Sequence, residues 1–364
     1  MTLKNSTDLL IHGLKRGVGW LLQSLLVIAI LLAGAWVSMA LWFQLPASRW
    51  LIITVIIGWW GLSSALLIGW FARRIHKTVA YGSAGCYMLC WIVLLCWWQT
   101  IQPQQNKHWA ADVDRQVQVE QTGHLVTLHN VRNFDWRSET DFTPHWETRQ
   151  YDLRKLSSLD VITSYWMGPK IAHVLLSFGF DDGQYLTFSI ETRRENNEVF
   201  STFGGFFRKF ELSLIAADER DIIYTRTNIR KEQVYLYRMQ VSKATIRSLF
   251  NNYLQEAREL DRQPRFYNTL TSNCTTIVFD MARLIDPGLP LDYRIVLSGY
   301  LPQYIYEQHG LDQHVPFRML QQQAYINPLA LQYAQSAHQQ FSAAGSSAFS
   351  RAIRRNLAAQ PLDR

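Results

Sequence analysis

Residues 269–286 read TLTSNCTTIVFDMARLID, and they place a solitary cysteine, Cys274, directly after Asn273 and before an apolar run. The apolar residues of this run recur at helical spacing, which predicts a helix that packs one side against a sheet: Ile277, Val278, Met281, Leu284 and Ile285. The Asp-Pro-Gly sequence at 286–288 is typical of a helix end. The stretch therefore predicts a cysteine on the first turn of a buried helix.

A cysteine at a helix N-terminus lies among backbone N–H groups that point outward, and the helix dipole favours negative charge there. The thiol of Cys274 is therefore expected to ionise more easily than a free thiol, which suits a nucleophile. The same N–H groups, joined by the Asn273 side chain, are candidates for an oxyanion hole. The alternative is that Cys274 is a small buried packing residue.

A thiolate nucleophile usually works with a histidine, and the chain has ten histidines to choose from. His173 is the best placed, because it begins a predicted strand that can face the helix N-terminus. Glu191, at the end of the next predicted strand, is the candidate for orienting the imidazole, with Ser189 behind it on the same strand face. Alternatively, Glu191 pairs with one of the arginines at 193 and 194, and His173 has no chemical role.

Alternating apolar and polar residues predict several strands before the cysteine helix. Residues 172–180 (AHVLLSFGF) and 185–193 (YLTFSIETR) form a predicted hairpin around the Asp-Asp-Gly turn at 181–183. A helix capped by Ser242 is predicted from the sequence that follows it. Further strands are predicted at 124–136, 208–216 and 232–241. These elements together indicate an α+β domain.

The first hundred residues differ from the rest, because they contain three long apolar stretches without Lys, Arg, Asp or Glu, at 18–43, 50–71 and 79–98. Each is long enough to cross a hydrocarbon core as a helix, which takes roughly 20 residues. Lys4, Lys15 and Arg16 precede the first stretch, and Arg73, Arg74 and Lys77 follow the second. The positive-inside bias therefore predicts a cytoplasmic N-terminus, an inner-membrane anchor and a C-terminal region on the periplasmic side.

An alternative for the first stretch is a cleaved signal peptide, since Ser38-Met39-Ala40 resembles a small-residue cleavage site. Three of the four cysteines, Cys86, Cys90 and Cys96, lie in the third stretch, and Cys86 and Cys90, one helical turn apart, are expected to be packing residues. Only Cys274 then remains in an oxidising compartment, where an unpaired thiol is either buried or used. The formal net charge of +7 favours anionic lipid as a neighbour, and nucleic acid is an unexpected partner on that side.

The chain thus divides into a transmembrane region (1–99), a juxtamembrane connector of uncertain order (100–122), a periplasmic domain (123–331) and a tail rich in Gln, Ala and Ser (332–364), expected to be a weak helix or disordered. The mixed-charge run at 217–232 predicts a solvated face or an ion-pair network. Within it, Arg226 and Arg230 are weaker candidates for binding a lipid headgroup.

The spacing of histidines and cysteines predicts no metal site, and the glycine pair at 204–205 is expected to form a turn or bulge.

The His173 strand, the FGGFFRKFEL segment and the PRFYNTLTSNCTTIVFDMAR segment together resemble the DUF4105 family, also called the Lnb N-terminal periplasmic domain. The resemblance covers about residues 130–316. It implies a circularly permuted papain-like (NlpC/P60-like) fold, in which the histidine strand precedes the cysteine helix. It also implies Cys274 as nucleophile and His173 as its base, in N-acylation of bacterial lipoproteins. In two respects the chain departs from the family pattern: its membrane spans precede the domain, and its tail has no counterpart.

We therefore expect a membrane-anchored, cofactor-independent cysteine enzyme that transfers or hydrolyses acyl chains of membrane phospholipids or lipoproteins. A cysteine amidase or peptidase acting on cell-wall peptides would use the same pair of residues. A membrane-anchored binding module that has lost activity is the third alternative, and it would leave Cys274 buried or unpaired.

Overall fold

The structure is a computed structural model that describes residues 3–71, 77–196, 198–336 and 343–357. The chain forms two compact units. The N-terminal unit comprises Met1–Gln102 together with Phe207–Lys209, and the C-terminal unit comprises Pro103–Phe206 and Phe210–Arg364.

The N-terminal unit contains three long helices, α1 (Leu3–Gln44), α2 (Arg49–Phe71) and α3 (Lys77–Thr100). Their segments Leu14–Gln44, Arg49–Phe71 and Tyr81–Thr100 are long and apolar enough to cross a membrane, and they coincide with the three predicted spans to within a few residues. Arg73 and Arg74, on which the predicted orientation partly depends, lie outside the described residues.

Aromatic side chains hold these helices together. The Trp59 ring centroid lies 5.4 Å from that of Trp91, which in turn lies 5.9 Å from that of Trp36. The indole Nε1 of Trp60 donates to Ser38 Oγ at 3.0 Å. The segment Ser38-Met39-Ala40, considered above as a signal-peptide cleavage site, therefore lies within helix α1 and contacts α2. Cys90 is partly buried against this cluster, as predicted, whereas Cys86 is exposed and its prediction as a packing residue is wrong; Cys96 is also exposed.

The C-terminal unit is built on an eight-stranded mixed sheet with the order β1-β2-β9-β8-β7-β6-β10 and β5 paired to β2. A separate two-stranded sheet pairs β3 with β4. The strands are β1 (Gln118–Thr122), β2 (Leu125–Arg132), β3 (Asp135–Trp136), β4 (Phe142–Thr143), β5 (Trp146–Asp152), β6 (Leu156–Tyr165), β7 (Ala172–Phe180), β8 (Tyr185–Arg193), β9 (Glu211–Ala217) and β10 (Gln233–Arg238).

Helices cover both faces of this sheet. They are α4 (Thr202–Phe206), α5 (Glu219–Tyr224), α6 (Lys243–Arg262), α7 (Thr276–Ile285), α8 (Leu301–Glu307), α9 (Phe317–Ala324), α10 (Asn327–Ser336) and α11 (Ala343–Ala352). Strand β7 shows the layering, because Val174 packs with α6 and α7 on one face while Leu175 packs with α5, α10 and α11 on the other. Burial on both faces explains why β7 reads as an almost continuous apolar run. The α+β class is confirmed, and the permuted papain-like type stays a prediction.

The predicted hairpin joins β7 to β8 in antiparallel register, with Leu175 opposite Ser189. Gly183 has a φ of 84°, a left-handed conformation that glycine adopts without strain, and Phe180 N donates to Gln184 O at 3.0 Å. Helix α6 begins as predicted, since Ser242 Oγ accepts from Thr245 N.

Helix α7 packs most of its predicted apolar stripe against the core cluster on its face of the sheet. Leu284, however, is 76 % exposed, so its placement in the buried stripe is wrong. Phe279 is buried instead, with its ring 6.2 Å from that of Tyr304 in α8. The helix is therefore covered on two sides, and Leu284 lies on a side that is left uncovered. It starts at Thr276, so Cys274 lies two residues before the helix rather than on its first turn.

Three segments are more ordered or more buried than the sequence indicates. The connector joins the C-terminal unit from Pro103 and supplies β1. The glycine pair at 204–205 lies in α4 instead of a turn or bulge, and a Cβ on Gly205 would meet Thr269 Oγ1 at 2.2 Å. In the tail, the described residues include α11, whose Phe349 is fully buried.

The mixed-charge run at 217–232 forms an ion-pair network as predicted, but the network is buried and not a solvated face. Asp221 accepts from Arg132 Nε at 2.9 Å and from Trp136 Nε1 at 2.8 Å, and its exposure is 0 %. Glu219, also fully buried, pairs with Arg354 from the C-terminal tail. These charges hold α5 and the tail against the sheet.

Candidate active site

His173 is the second residue of β7 and lies at the end of the central strands. The register places it opposite Ser164 of β6. Since side chains alternate along a strand, His173 shares a face with Leu175, and the pairing of Leu175 with Ser189 puts Ser189 and Glu191 of β8 on that same face. The hairpin thus brings these three residues together, as predicted from the sequence.

The imidazole of His173 is held by two neighbours on β8. Its Nε2 lies 2.7 Å from Ser189 Oγ and 3.3 Å from Glu191 Oε1. Ser189 Oγ in turn donates to Glu191 Oε1 at 2.7 Å. Because the carboxylate only accepts, Nε2 carries a proton toward this pair, and Nδ1 is the ring nitrogen that can face the thiol.

A buried arginine completes the surroundings of Glu191. Arg226 donates from Nη2 to Glu191 Oε1 at 2.9 Å and from Nη1 to Ile222 O at 3.3 Å. Arg226 is only 4 % exposed, so the predicted contact of this side chain with a lipid headgroup is contradicted by its burial. Arg230 is partly exposed and lies 3.8 Å from Glu232, so a headgroup role for it stays a prediction. Glu191 pairs with Arg226, while Arg194 pairs with Asp112 at 2.9 Å.

The turn that carries Cys274 is organised by Asn273. Its Oδ1 accepts from Thr275 N at 2.8 Å and Thr276 N at 3.0 Å, and its Nδ2 donates to Thr269 O at 2.8 Å. Asn273 therefore shapes the turn and engages the two N–H groups at the start of α7. The oxygen and one N–H of the Asn273 carboxamide are engaged within the turn, and an oxyanion role for this side chain stays a prediction.

Burial and charge set the ionisation of the pair. Burial alone would lower the pKa of His173, but the Glu191 carboxylate and the Cys274 thiolate raise it from 6.5 to about 9. Burial alone would raise the pKa of Cys274, but the His173 imidazolium and the Val174 N–H lower it below its ordinary value. The pKa of Glu191 lies well below its usual range because His173 and Arg226 outweigh the effect of burial. The site therefore favours a thiolate–imidazolium pair near neutral pH.

Apolar side chains are exposed around this end of the sheet. Strand β6 ends opposite Ala172, next to His173, and continues into Trp166 and Met167. Val199 and Phe203 follow β8, and Leu270 precedes Cys274 by four residues. These five residues, which we term the apolar rim, are between 47 % and 79 % exposed. Soluble surfaces rarely gather so many large apolar side chains without a ligand or partner.

Two other histidines of the C-terminal unit contact carboxylates. His129 contacts Glu120 at 3.2 Å, and His145 contacts Glu147 at 3.0 Å. Within the part of the chain that the structure describes, no group of three or more His, Cys, Asp or Glu residues is arranged to hold a metal ion.

Around the thiol and Glu191 lie residues that sequence reasoning did not assign to this cluster. Arg226 is the cationic partner of Glu191, and its position depends on how α5 continues into a turn of π-helix at Thr225–Ile229. Two tyrosines, Tyr253 and Tyr267, come within electrostatic reach of the Cys274 thiolate, which raises the pKa of each in addition to burial. No local pattern in the sequence links either tyrosine to the cysteine.

Residues 142–299 match the family model of the Lnb N-terminal periplasmic domain. The match includes both His173 and Cys274, and it confirms the family resemblance over a range narrower than the one inferred from the sequence. No curated protein and no solved structure matches the chain. The family and the three apolar helices together indicate a membrane-anchored protein with a periplasmic domain.

Proposed function

We propose that the C-terminal unit is a periplasmic cysteine acyltransferase that acts on acyl esters of phospholipids or lipoproteins. The observation that carries the proposal is the chain of contacts from His173 through Ser189 to Glu191, beside a thiol whose pKa is lowered. A nucleophile, a base and an orienting group are the parts that thiol-based acyl transfer requires.

In the first step the Cys274 thiolate attacks the carbonyl carbon of the acyl ester. A carbon–sulfur bond forms, the ester C–O bond breaks, and the departing alkoxide takes the proton that His173 holds. The alcohol leaves as a neutral molecule, and the products on the protein are a thioester at Cys274 and a neutral imidazole.

In the second step an amine acceptor attacks the thioester while the neutral His173 accepts its proton. An amide forms, the carbon–sulfur bond breaks, and the thiolate–imidazolium pair is restored. Water in place of the amine would release a free fatty acid by the same path. Attack on the thioester by an amine would therefore make the site a transferase, and attack by water would make it a hydrolase.

Glu191, Ser189 and Arg226 act through His173. Ser189 and Glu191 fix the ring orientation by accepting at Nε2, and the negative charge of Glu191 stabilises the imidazolium. Arg226 keeps Glu191 ionised inside the protein, where an unpaired carboxylate would tend to take up a proton.

An acyl chain is favoured over a peptide as the substrate by the apolar rim. A peptide site requires convergent polar groups along its cleft, whereas the rim offers large apolar surfaces such as Trp166 and Phe203 at the sheet end that bears His173. Its two loops touch, since the rings of Trp166 and Phe200 lie 5.6 Å apart. The three membrane-spanning helices keep the protein in the bilayer that contains such substrates.

The test uses the full chain in detergent micelles with a diacyl phosphatidylglycerol and a lipopeptide that has a free amine. We expect lysophospholipid and acylated lipopeptide to appear together, and both to vanish in Cys274→Ala and His173→Ala. Cys96→Ala, a thiol substitution in α3, is the matched control and should retain activity. Cleavage of cell-wall muropeptides without lysophospholipid would overturn the proposal in favour of an amidase.

A further inference from the structure

The end of β7 that bears His173 extends past its neighbour β8. Strand β7 pairs with β6 from Ala172 to Phe180, whereas its register with β8 begins at Leu175 opposite Ser189. The backbone groups that lie before this point and face β8 are therefore available to other partners.

A single hydroxyl binds both backbone groups of Ala172. Ser298 Oγ accepts from Ala172 N at 2.9 Å and donates to Ala172 O at 2.7 Å. Ser298 is 5 % exposed and Ala172 is 2 % exposed, so water has little access to these bonds. Because a serine hydroxyl accepts and donates at once, this one side chain takes the place that a residue of β8 holds further along the strand.

Cys274 meets the same side of β7 two residues further on. Since N–H groups of successive strand residues point to opposite sides, the Val174 N–H has the direction of the Ala172 N–H. The Val174 N–H donates to the Cys274 sulfur and contributes to the lowered pKa of this thiol. Ser298 and Cys274 thus share the strand side that β8 leaves free, and His173 lies between the two residues that they bind.

Further bonds hold Ser298 beside the start of β7. Ser298 begins a 3₁₀ turn, and the next residue, Gly299, donates from its N to Lys170 O at 2.9 Å. Gly299 O accepts from Tyr165 Oη of β6 at 2.6 Å. A Cβ on Gly299 would overlap Pro169 O, so the close approach of the two backbones depends on glycine. The turn therefore binds β6 and the start of β7 together.

The same turn continues the chain that leaves the cysteine helix α7. The segment between α7 and Ser298 is held by Tyr304, whose hydroxyl donates to Pro290 O at 2.9 Å. The Tyr304 ring in turn packs against Phe279 of α7. One continuous stretch of chain therefore carries the thiol at its start and binds the strand of the histidine at its end.

We propose that Ser298 is a positioning residue that holds the start of β7 where His173 and the Val174 N–H both face the Cys274 sulfur. This inference rests on the proposed pairing of Cys274 with His173. Because its hydroxyl bonds backbone groups, Ser298 acts through the position of the imidazole and of this N–H.

Several ionisable groups set the charge near the thiol. They are His173, backed by Glu191 and Arg226, together with Tyr253 and Tyr267. All of them are retained in Ser298→Ala, and only the backbone that positions His173 is released. A change in the ionisation of Cys274 in this variant therefore reports a change of position.

The experiment is the pH profile of Cys274 alkylation by iodoacetamide in the full chain, in a background with the three other cysteines replaced by alanine. Ser298→Ala deprives both backbone groups of Ala172 of their partner, so the strand end loosens and the interactions that lower the thiol pKa weaken. The profile should move to higher pH. At a pH below the midpoint the alkylation rate should fall at least about threefold, which corresponds to a rise of about half a pH unit.

Ser157→Ala is the matched control, because it removes a serine hydroxyl at the opposite end of the same strand. Ser157 Oγ donates to Gly179 O at 3.2 Å. Both variants are expected to unfold at lower denaturant concentration than the parent, but only Ser298→Ala should displace the alkylation profile. The proposal is overturned if the Ser298→Ala profile coincides with that of the parent, or if Ser157→Ala moves it equally.

Tyr165→Phe provides the test if Ser298→Ala does not fold. It removes the hydroxyl that holds Gly299 and leaves Ser298 in place. The profile should then move in the same direction by a smaller amount. A Tyr165→Phe profile identical to that of the parent would in that case reject the proposal.

Alkylation needs no acyl substrate, so the results for this inference and for the proposed function can be told apart. A displaced profile in Ser298→Ala together with no acyl transfer by the parent would retain Ser298 as a positioning residue and reject the acyltransferase. Acyl transfer by the parent with an unchanged profile in Ser298→Ala would do the reverse. Where both hold, kcat for lysophospholipid formation should fall in Ser298→Ala while KM stays the same.

Discussion

Glu191 is the residue on which the charge state of the site depends. One oxygen, Oε1, contacts His173, Ser189 and Arg226, at 3.3 Å, 2.7 Å and 2.9 Å. A carboxylate in that position does two things: it fixes the tautomer of His173 through Nε2, and it keeps the ring charged. Arg226 is needed for the second effect, because it keeps the carboxylate ionised despite burial.

The pH dependence of acyl transfer follows from these pKa values. The thiolate exists above the lowered pKa of Cys274, and the imidazolium exists below about pH 9, the pKa of His173. Lysophospholipid formation is therefore expected to be level near neutral pH and to fall as pH rises through about 9. In Glu191→Gln the charge that raises the pKa of His173 is lost, and the fall should move to lower pH.

Glu195→Gln provides the matched control, because Glu195 pairs with Lys107 at 3.4 Å and its side chain is 44 % exposed. Its pH profile should coincide with that of the unmodified protein. An upper limb that does not move in Glu191→Gln would show that another group sets the protonation of His173.

Helix α11 is held against the sheet by ion pairs with residues that are distant in the sequence. Arg354, just after this helix, donates to Asp160 of β6 at 2.9 Å and to Glu219 of α5 at 2.7 Å. Both carboxylates are fully buried. The guanidinium thus joins the end of the chain to the sheet and to α5, on the face opposite to α6 and α7.

Removing this guanidinium should destabilise the C-terminal unit. Arg354→Met leaves Glu219 buried without its cation, and breaking a buried ion pair from one side costs about 3–5 kcal/mol. The measurement is denaturant unfolding of the full chain in detergent. Arg355→Met is the adjacent control, since Arg355 is exposed and donates to Gln332 Oε1 at 3.2 Å, so its unfolding midpoint should match that of the unmodified protein.

Local sequence patterns predicted the strand that contains His173 and the helix that follows Cys274. The β7–β8 hairpin follows from alternation around the Asp-Asp-Gly turn, and α6 and α7 follow from helical spacing and caps. Strand β6 was not predicted, because its inward positions include Asp160 and Ser164, which read as solvent-facing. Their burial is explained by Arg354 and Glu232, whose positions depend on the tertiary fold.

The same reasoning applies within the site. Cys274, His173 and Glu191 were predicted from their places on the elements, whereas Arg226 was predicted to bind a lipid headgroup and not Glu191. Arg226 reaches Glu191 across 35 residues of sequence, so no local pattern joins them. Asn273 also shapes the turn before α7, a role that its position in the sequence does not reveal.

The protein as a whole combines three helices that are long and apolar enough to cross a membrane with a region that matches the Lnb N-terminal periplasmic domain. We propose that the N-terminus is cytoplasmic and that the C-terminal unit is periplasmic, on the basis of the basic residues near the first two spans. This topology places Cys274, the single cysteine of the C-terminal unit, in an oxidising compartment, where an unpaired thiol is a liability unless it is buried or functional. The proposed pairing with His173 gives this thiol a function.

Thiol labelling tests this topology. In a background without native cysteines, a membrane-impermeant maleimide should label Lys243→Cys, at an exposed position of α6, in cells with a permeabilised outer membrane. It should not label Asn5→Cys until the inner membrane is dissolved by detergent. The opposite pattern would place the C-terminal unit in the cytoplasm and reject a periplasmic enzyme.

Detection of the proposed thioester at Cys274 would be the most direct evidence for the proposed function. The measurement is the intact mass of the detergent-purified protein after incubation with a diacyl phospholipid, without an amine acceptor, for the unmodified protein, Cys274→Ala and His173→Ala. The expected result is one added acyl chain, removable by hydroxylamine, on the unmodified protein and on neither variant. An unmodified protein that gains no acyl mass while iodoacetamide still alkylates Cys274 rapidly at neutral pH would contradict it.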